Sequence, residues 1–322
     1  MVERERYLPT EDQFALAAAM SEALGALLPI ARLHGCRHEE DDVWAALTAL
    51  GLFSMTRPEG EGGAGLGPLE EALVAFELGR RLASPAVIAT LGAGAHVELA
   101  EGEAVAAGWI EGNGIIVVDE PRAARVLVRG DGDDVRLMDR PQAVEILDDV
   151  HWAARVQRIA GLPDRGMVLA HGVEVRLRLL DAAALAGLAE TALEMAVAYA
   201  GLRKQFGRPI GSFQAVKHHC ADMALAARGA RDLVIFAASA IDEASADGPG
   251  LVDSALVIAG QAAVGNAALN VQVHGGVGFS DEADPHLLVK RARIYLSSSG
   301  GLDAAVERIT ARDAIFSGEA AA

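Results

Sequence analysis

Residues 198–223 read AYAGLRKQFGRPIGSFQAVKHHCADM, and their reading decides the fold. The stretch enters as a helix from Ala198, breaks over Phe206-Gly207-Arg208-Pro209-Ile210-Gly211, and resumes as a second helix with Ser212 as its expected N-cap. The break follows from local chemistry. Pro209 has no backbone N–H to continue a ladder, and Gly207 and Gly211 tolerate dihedrals that other residues avoid. Arg203, Lys204, Gln205 and Phe206 end the first helix with two cations, an amide and an aromatic ring. That set suits a ligand carrying phosphate and a flat ring system. It equally describes a solvated basic patch beside a core Phe.

A second stretch narrows the choice: Gln272-Val273-His274-Gly275-Gly276-Val277-Gly278-Phe279, followed by Arg291-Ala292-Arg293-Ile294-Tyr295. With both in this order the chain resembles the acyl-CoA dehydrogenases, whose members carry Arg-x-Gln-Phe-Gly-x-x-Ile-x-x-Phe-Gln followed by Ala-Asp-Met. The resemblance is close over the C-terminal half and loose over the N-terminal third, where Pro58 to Gly65 matches the family's Pro-Glu-x-x-Gly-Gly-x-Gly loop. The run Gly63-Ala64-Gly65-Leu66-Gly67 is not a dinucleotide fingerprint, because no strand–turn–helix unit with a trailing acidic residue surrounds it.

Composition agrees with a mainly helical protein. Of 322 residues, 52% are hydrophobic and only 4% aromatic, so Ala, Leu and Val build the core. The net charge of -17 disfavours nucleic acid or an anionic membrane surface as partner. Cys36 and Cys220 lack metal-site spacing and fit a reducing cytoplasm. No signal peptide is read in Met1 to Tyr7, no apolar stretch is read as long enough to span a membrane, and no metal site is expected. Adjacent His218 and His219 point apart on a helix and cannot share one ion.

In chain order, helices are expected over Glu11 to Leu28, from Asp42 to near Gly51, Leu69 to Arg81 and Ala86 to Leu99, making residues 1–106 an N-terminal helical domain. Residues 107–180 read as a reduced β domain: Gly114–Val118, Arg125–Val128, Val135–Met138 and Val144–Leu147 are short β-branched or alternating runs, and Val173 to Leu179 also alternates. Turn residues such as Gly130-Asp131-Gly132-Asp133 separate them. Residues 181–322 read as a C-terminal four-helix bundle, with Asp181 as its helix N-cap and turns at Gly207–Gly211, Asp247–Gly250 and Gly275–Glu282.

What the chain does rests on what the resemblance implies. In that family FAD lies across a subunit boundary, and one subunit reaches over with its Arg-x-Gln-Phe and Gln-x-x-Gly-Gly turns to hold the pyrophosphate and adenosine. Carried across, the cofactor-binding set is Arg203, Gln205, Phe206, Gln214, Gln272, Val273, His274, Gly275 and Gly276. The ring-cradling segments, Thr-Glu-Pro-x-Ala-Gly-Ser and Trp-Ile-Thr-Asn, are not found between Gly108 and Leu180, and Trp109 and Trp152 lie in unrelated contexts. The catalytic Glu that removes the α proton is also missing. Ser299 stands at one family position and Leu177 at the other. A serine hydroxyl is too weak a base without an activating partner. Glu190 and Glu194 read as helix-face carboxylates.

The resemblance therefore implies the non-catalytic subunit of a heteromeric α2β2 acyl-CoA dehydrogenase of the steroid or bulky-acyl type. This chain would grip the nucleotide end of FAD, its partner would supply the Glu, an acyl-CoA would be the substrate, and an electron-transferring flavoprotein would take the electrons. Two alternatives stay open: a self-sufficient homo-oligomeric flavoenzyme using Asp181 as base, and a non-enzymatic acyl-CoA-binding scaffold.

Overall fold

The computed structural model describes residues 7–35, 39–100, 102–118, 120–130, 134–140, 145–147, 155–161, 166–170 and 172–312. Cys36, Trp152, the turn residues at 131–133 and Val144 lie outside them.

The N-terminal helices are α1 (Glu11–Leu27), α2 (Asp41–Ala49), α3 (Pro68–Arg80) and α4 (Pro85–Gly94). Their starts follow capping chemistry. Thr10 and Gln13 exchange side-chain-to-backbone bonds ahead of α1, and prolines open α3 and α4, where a missing N–H costs nothing. Helix α4 is buried along its whole length between the sheet and the bundle. It stops at Gly94 rather than at the expected Leu99; a Cβ on Gly94 would stand 2.0 Å from the Phe53 carbonyl oxygen.

The sheet follows, with β1 (Ala104–Glu111), β2 (Gly114–Val118), β3 (Ala123–Arg129), β4 (Val135–Asp139), β5 (Glu145–Ile146), β6 (Val156–Ala160) and β7 (Met167–Val168) in the order β5-β6-β2-β1-β3-β4-β7. The β1–β3 pair is parallel and the other pairs are antiparallel. The strand read at Val144–Leu147 shrinks to the two residues of β5.

The C-terminal part holds α5 (Val173–Leu202), a two-stranded hairpin of β8 (Lys204–Gln205) and β9 (Arg208–Pro209), then α6 (Gln214–Asp242), α7 (Gly248–His274), α8 (Pro285–Ser298) and α9 (Gly301–Thr310). Helices α5, α6, α7 and α8 form the bundle, and α9 packs on α7. Glycines bring α3 and α5 into backbone contact: a Cβ on Gly79 would lie 1.9 Å from the Ala184 carbonyl oxygen, and one on Gly187 would lie 1.9 Å from that of Phe76. The buried Asn266 Nδ2 donates to Ala189 O on α5 (3.1 Å) and Met223 O on α6 (3.0 Å), tying three helices together. Tyr295 on α8 donates its hydroxyl to Ala83 O (2.6 Å), locking the bundle to the N-terminal helices.

Three expectations are corrected. Val173 to Leu179 is the start of α5, not a strand, and Gly172 at φ 90° precedes it. The alternation that suggested a strand comes from Glu174, Arg176 and Arg178, which are not solvated but ion-paired to Arg129, Glu71 and Asp253. A helix buried on nearly every side hides its period when its polar positions are neutralised internally. Asp181 consequently sits inside α5 and is no N-cap. Third, among the described residues three segments are long and apolar enough to cross a membrane: Glu11–His34, Val173–Leu202 and Gly248–Phe279, with mean hydropathies of 1.7, 1.2 and 1.3. The last two bury most of their apolar windows inside the fold, 61% and 56%. Alanine-rich packing helices reach such values without lipid.

Candidate functional site

Two places on the molecule hold the residues singled out by sequence. The first is the end of the bundle where α5 and α7 both terminate. These helices run parallel: Asn266 reaches Ala189, Asn270 Nδ2 contacts Met195 Sδ at 3.3 Å, and His274 stacks on Tyr199 with ring centres 4.0 Å apart. The stack brings the Arg203 turn and the Gln272–Gly276 turn to one end. The His274 ring is fixed from its other side by Nδ1, which donates to Asn270 O at 2.8 Å.

Arg203 is the C-cap of α5; its N–H donates to Tyr199 O at 2.8 Å while its side chain is exposed. Lys204 and Gln205 pair with Pro209 and Arg208, leaving Phe206 and Gly207 as a two-residue loop with φ of 51° and 76°. A tight hairpin of this kind demands left-handed backbone at both loop positions. Glycine supplies it freely, whereas Phe206 adopts it against its own Cβ. The strained residue is also 91% exposed. It is not the core Phe of the alternative reading, and among the described residues its ring neighbour is Phe213, edge-on at 6.1 Å and itself covered by Arg208 at 4.2 Å. Ser212 does not cap α6. It lies in a 3-10 turn, and the extended residue ahead of the helix is Phe213.

Gln214, first residue of α6, and Gln272, in the last turn of α7, are exposed; Val273 is buried and packs. Gly275 ends α7 at φ 63°, and a Cβ on Gly275 or Gly276 would meet nothing within 4 Å. The turn therefore presents bare backbone to solvent. An exposed guanidinium, exposed amides, an unstacked ring face and approachable backbone are the donor set that a dinucleotide's pyrophosphate and adenosine need. These residues fit that part of FAD. Leu202 (81% exposed), Val277 and Phe279 (77%) surround them, leaving apolar area uncovered.

The second place is where the family's catalytic Glu is expected. Ser299 follows α8 and is buried, and its hydroxyl donates to Leu296 O at 2.9 Å. Leu177 is buried in α5 among Ala89, Ala93, Val105 and Leu127. Gly92 makes room for it, since a Cβ there would stand 2.3 Å from Leu177 Cδ2. Neither position offers a base.

Asp181 is buried and bonded to Arg129 at the end of β3. Arg129 also grips Glu174 with two nitrogens, Nη2 to Oε1 at 2.7 Å and Nε to Oε2 at 3.0 Å. Burial pushes the Asp181 carboxyl up to about 6, and Arg129, shared with Glu174, offsets only part of that cost. The network continues through Arg178, 3.2 Å from Asp253, which also takes Arg308 at 2.9 Å. Asp181 faces a void of about 20 Å³ shared with Leu127, Leu177 and Ser298. That holds about one water, so an acyl chain has no room beside this carboxylate.

On the far side of Arg129 a polar cleft of about 470 Å³ opens between the β1 end and the Ser297–Gly301 turn. Its carboxylates are Glu174, committed to Arg129, and Glu111, exposed at the end of β1. An adjoining apolar trough of about 410 Å³ shares Trp109, Glu111 and Ser297 with it. Glu194, exposed on α5, is taken by Arg80 at 2.7 Å. Among the described residues no three His, Cys, Asp or Glu side chains gather as a metal site.

Sequence reasoning missed the Arg129 network. One signal was available: Glu174, Arg178 and Asp181 recur at helical spacings of four and three within an otherwise apolar helix, and charges there must find buried partners.

Comparison with known proteins places these features in a family. The acyl-CoA dehydrogenase N-terminal domain matches residues 10–104 and the C-terminal domain matches residues 164–313. "Acyl-CoA dehydrogenase IpdE2" of Mycobacterium tuberculosis is 32% identical over 292 residues, 86% of this chain and 88% of that protein. Among solved structures, the Tcur3481-Tcur3483 steroid ACAD variant superposes with a TM-score of 0.76 at 23% identity, covering 93% of this chain and 97% of that one. The ChsE4-ChsE5 complex of M. tuberculosis superposes at 0.73 and 24%, covering 94% and 97%. At such identities the two structures attest the fold.

Proposed function

The chain belongs to the acyl-CoA dehydrogenase family, FAD-dependent oxidoreductases acting on CH–CH groups, and we propose that it is the FAD-supporting, base-lacking subunit of a heteromeric member. One observation carries this reading. Arg203, Gln205, Phe206, Gln214, Gln272, Gly275 and Gly276 are exposed, while the base positions hold Ser299 and Leu177, and the buried carboxylates beside them, Glu174 and Asp181, are tied to Arg129.

FAD bound at the subunit boundary supplies the hydride acceptor for α,β-desaturation of an acyl thioester. This chain's part is binding and orientation. Arg203 pairs with a phosphate oxygen, the bare Gly275–Gly276 backbone lets donors approach closely, and Phe206 offers its ring to a flat partner. Gln205, Gln214 and Gln272 add amide bonds at the same end. The uncovered Leu202, Val277 and Phe279 are the apolar area the partner subunit buries, completing an α2β2 assembly. The partner supplies the Glu that removes the α proton. Likeness to the ChsE4-ChsE5 complex and to a steroid ACAD supports the heteromer and a bulky, steroid-type acyl-CoA as substrate. The same reading puts the chain in the cytoplasm and passes its electrons to an electron-transferring flavoprotein.

The test is expression of the chain alone and with dehydrogenase-like chains from neighbouring genes, with flavin-to-protein ratio and acyl-CoA-dependent dye reduction measured on each. A colourless chain alone, and a yellow, active complex with one partner, is the expected result. A yellow chain that turns over acyl-CoA by itself overturns it in favour of a self-sufficient enzyme. A stable complex with no flavin overturns it in favour of a scaffold.

A further inference from the structure

We propose that the apolar trough beside Trp109 is a binding site for a hydrophobic carboxylic acid. The trough is lined by this chain alone and lies apart from the Arg203 and Gly275 turns.

The trough has a volume of about 410 Å³, within the range of small-molecule sites. Its walls are apolar: Trp109 and Ile116 from the sheet, Val156 from β6, and Val289 and Ile294 from α8. Such a surface gains by covering itself with an apolar body. What selects the head group is the rim. Lys290 and Arg293 project from α8, and neither has an ion-pair partner within 4.0 Å among the described residues. Against them stands Glu111, and Asp281 acts on Lys290 from a distance. Partial burial of Lys290 holds its ammonium below its ordinary value, so it gains from an anion that replaces lost water. In a chain with net charge -17, a lining with two cations to one carboxylate is a local reversal of sign. An apolar wall beneath two cations with no close ion pair matches a body of rings or methylenes ending in one carboxylate. The same wall under a neutral rim would take any apolar molecule. The Ser297 end of the trough opens onto the polar cleft, which gives the head group solvent on its far side.

The experiment uses the full chain, in whatever assembly it purifies, and titrates it with decanoate, decanol, decyltrimethylammonium and decanoyl-CoA below micelle formation. Trp109 fluorescence is the readout, with Trp109→Phe to identify its contribution. Saturable quenching by decanoate, absent with the neutral and cationic amphiphiles and weakened roughly tenfold or more in Lys290→Glu/Arg293→Glu, is expected. Circular dichroism of that double variant should match the parent, because Arg293 is exposed and Lys290 only half-buried. Equal quenching by all amphiphiles shows nonspecific apolar contact and overturns the proposal. Quenching by decanoyl-CoA without decanoate shows that phosphate is the anion read, and overturns the free-acid assignment. No saturable signal overturns it as well. None of these outcomes depends on FAD retention, so failure here leaves the subunit reading where it was.

Discussion

The bundle end around Arg203 and the crossing of β3 with α5 around Arg129 treat arginine in opposite ways. Arg203 is exposed on the C-cap of a helix, beside a ring held in solvent on strained backbone. Arg129 has a side chain only 10% exposed and spends its guanidinium on the buried Glu174 and Asp181. The first arrangement leaves donors free for something outside the chain. The second uses every strong donor to neutralise the chain's own carboxylates. A polar group left exposed beside a strained turn is open to a partner, whereas one that is shielded and paired has become part of the core.

The hardest blow to that contrast is Arg129→Ala. Removing the guanidinium leaves Glu174 and Asp181 buried without their shared cation, which costs about 3–5 kcal/mol. Urea unfolding should show a loss of that order. A loss below about 1 kcal/mol would mean that water reaches the network and that it is not core.

Asp181→Asn sharpens the same side. In the folded chain the carboxyl titrates near 6, against 3.8 when free. Between these values the folded state keeps a proton that the unfolded state has lost. Stability from this group is therefore full below pH 4 and falls as pH rises through 6, by about 3 kcal/mol in total. Asn does not titrate. The unfolding free energy of the wild type should drop relative to the variant between pH 4 and pH 6, then run parallel to it above pH 7. Glu71, whose carboxyl burial also raises, is present in both proteins and cancels in the difference. A pH-independent difference would remove Asp181 from the titrating groups.

On the other side of the comparison, Arg203→Ala should leave unfolding unchanged, since the side chain touches solvent. In the complex it should weaken flavin retention by roughly ten- to a hundredfold, the worth of one charge-assisted phosphate contact. Flavin release on dilution measures it. Unchanged retention would make the exposed turn an ordinary surface.

How much of this was legible depended on how far apart the cooperating residues are. The Arg203–Gly211 break and the Gly275–Gly276 turn are contiguous strings whose Gly and Pro dictate the backbone, and the structure breaks the chain at both. The order of helices, sheet and helices was readable for the same reason. The start of α5 was not. Its charged residues alternate with apolar ones as in a half-exposed strand; the spacing of Glu174, Arg178 and Asp181 is the one local hint of a helix, and the partners that neutralise its charges, Arg129, Glu71 and Asp253, lie far off in the chain. Ser212 failed as a cap because Phe213, extended between the 3-10 turn and α6, takes that position. Long-range neutralisation leaves little trace in local pattern, whereas turn chemistry leaves nearly all of it.

Phe206→Gly is the finest test of the contrast because its two effects have opposite sign. Phe206 holds φ at 51°, a conformation that costs a side chain with a Cβ about 1 kcal/mol, and its ring is 91% exposed, so little burial is lost with it. Glycine adopts the turn without strain, although it also frees the unfolded chain. The net gain in stability should be within about 1 kcal/mol, and never a loss of the size a core Phe would give, about 3–5 kcal/mol. In the complex the same change should weaken flavin retention by severalfold, since a stacking face disappears. A variant more stable and worse at holding flavin would mean that the strain at this loop serves the ligand. A variant less stable with flavin retention intact would return Phe206 to the fold and leave Arg203 to hold the nucleotide without it.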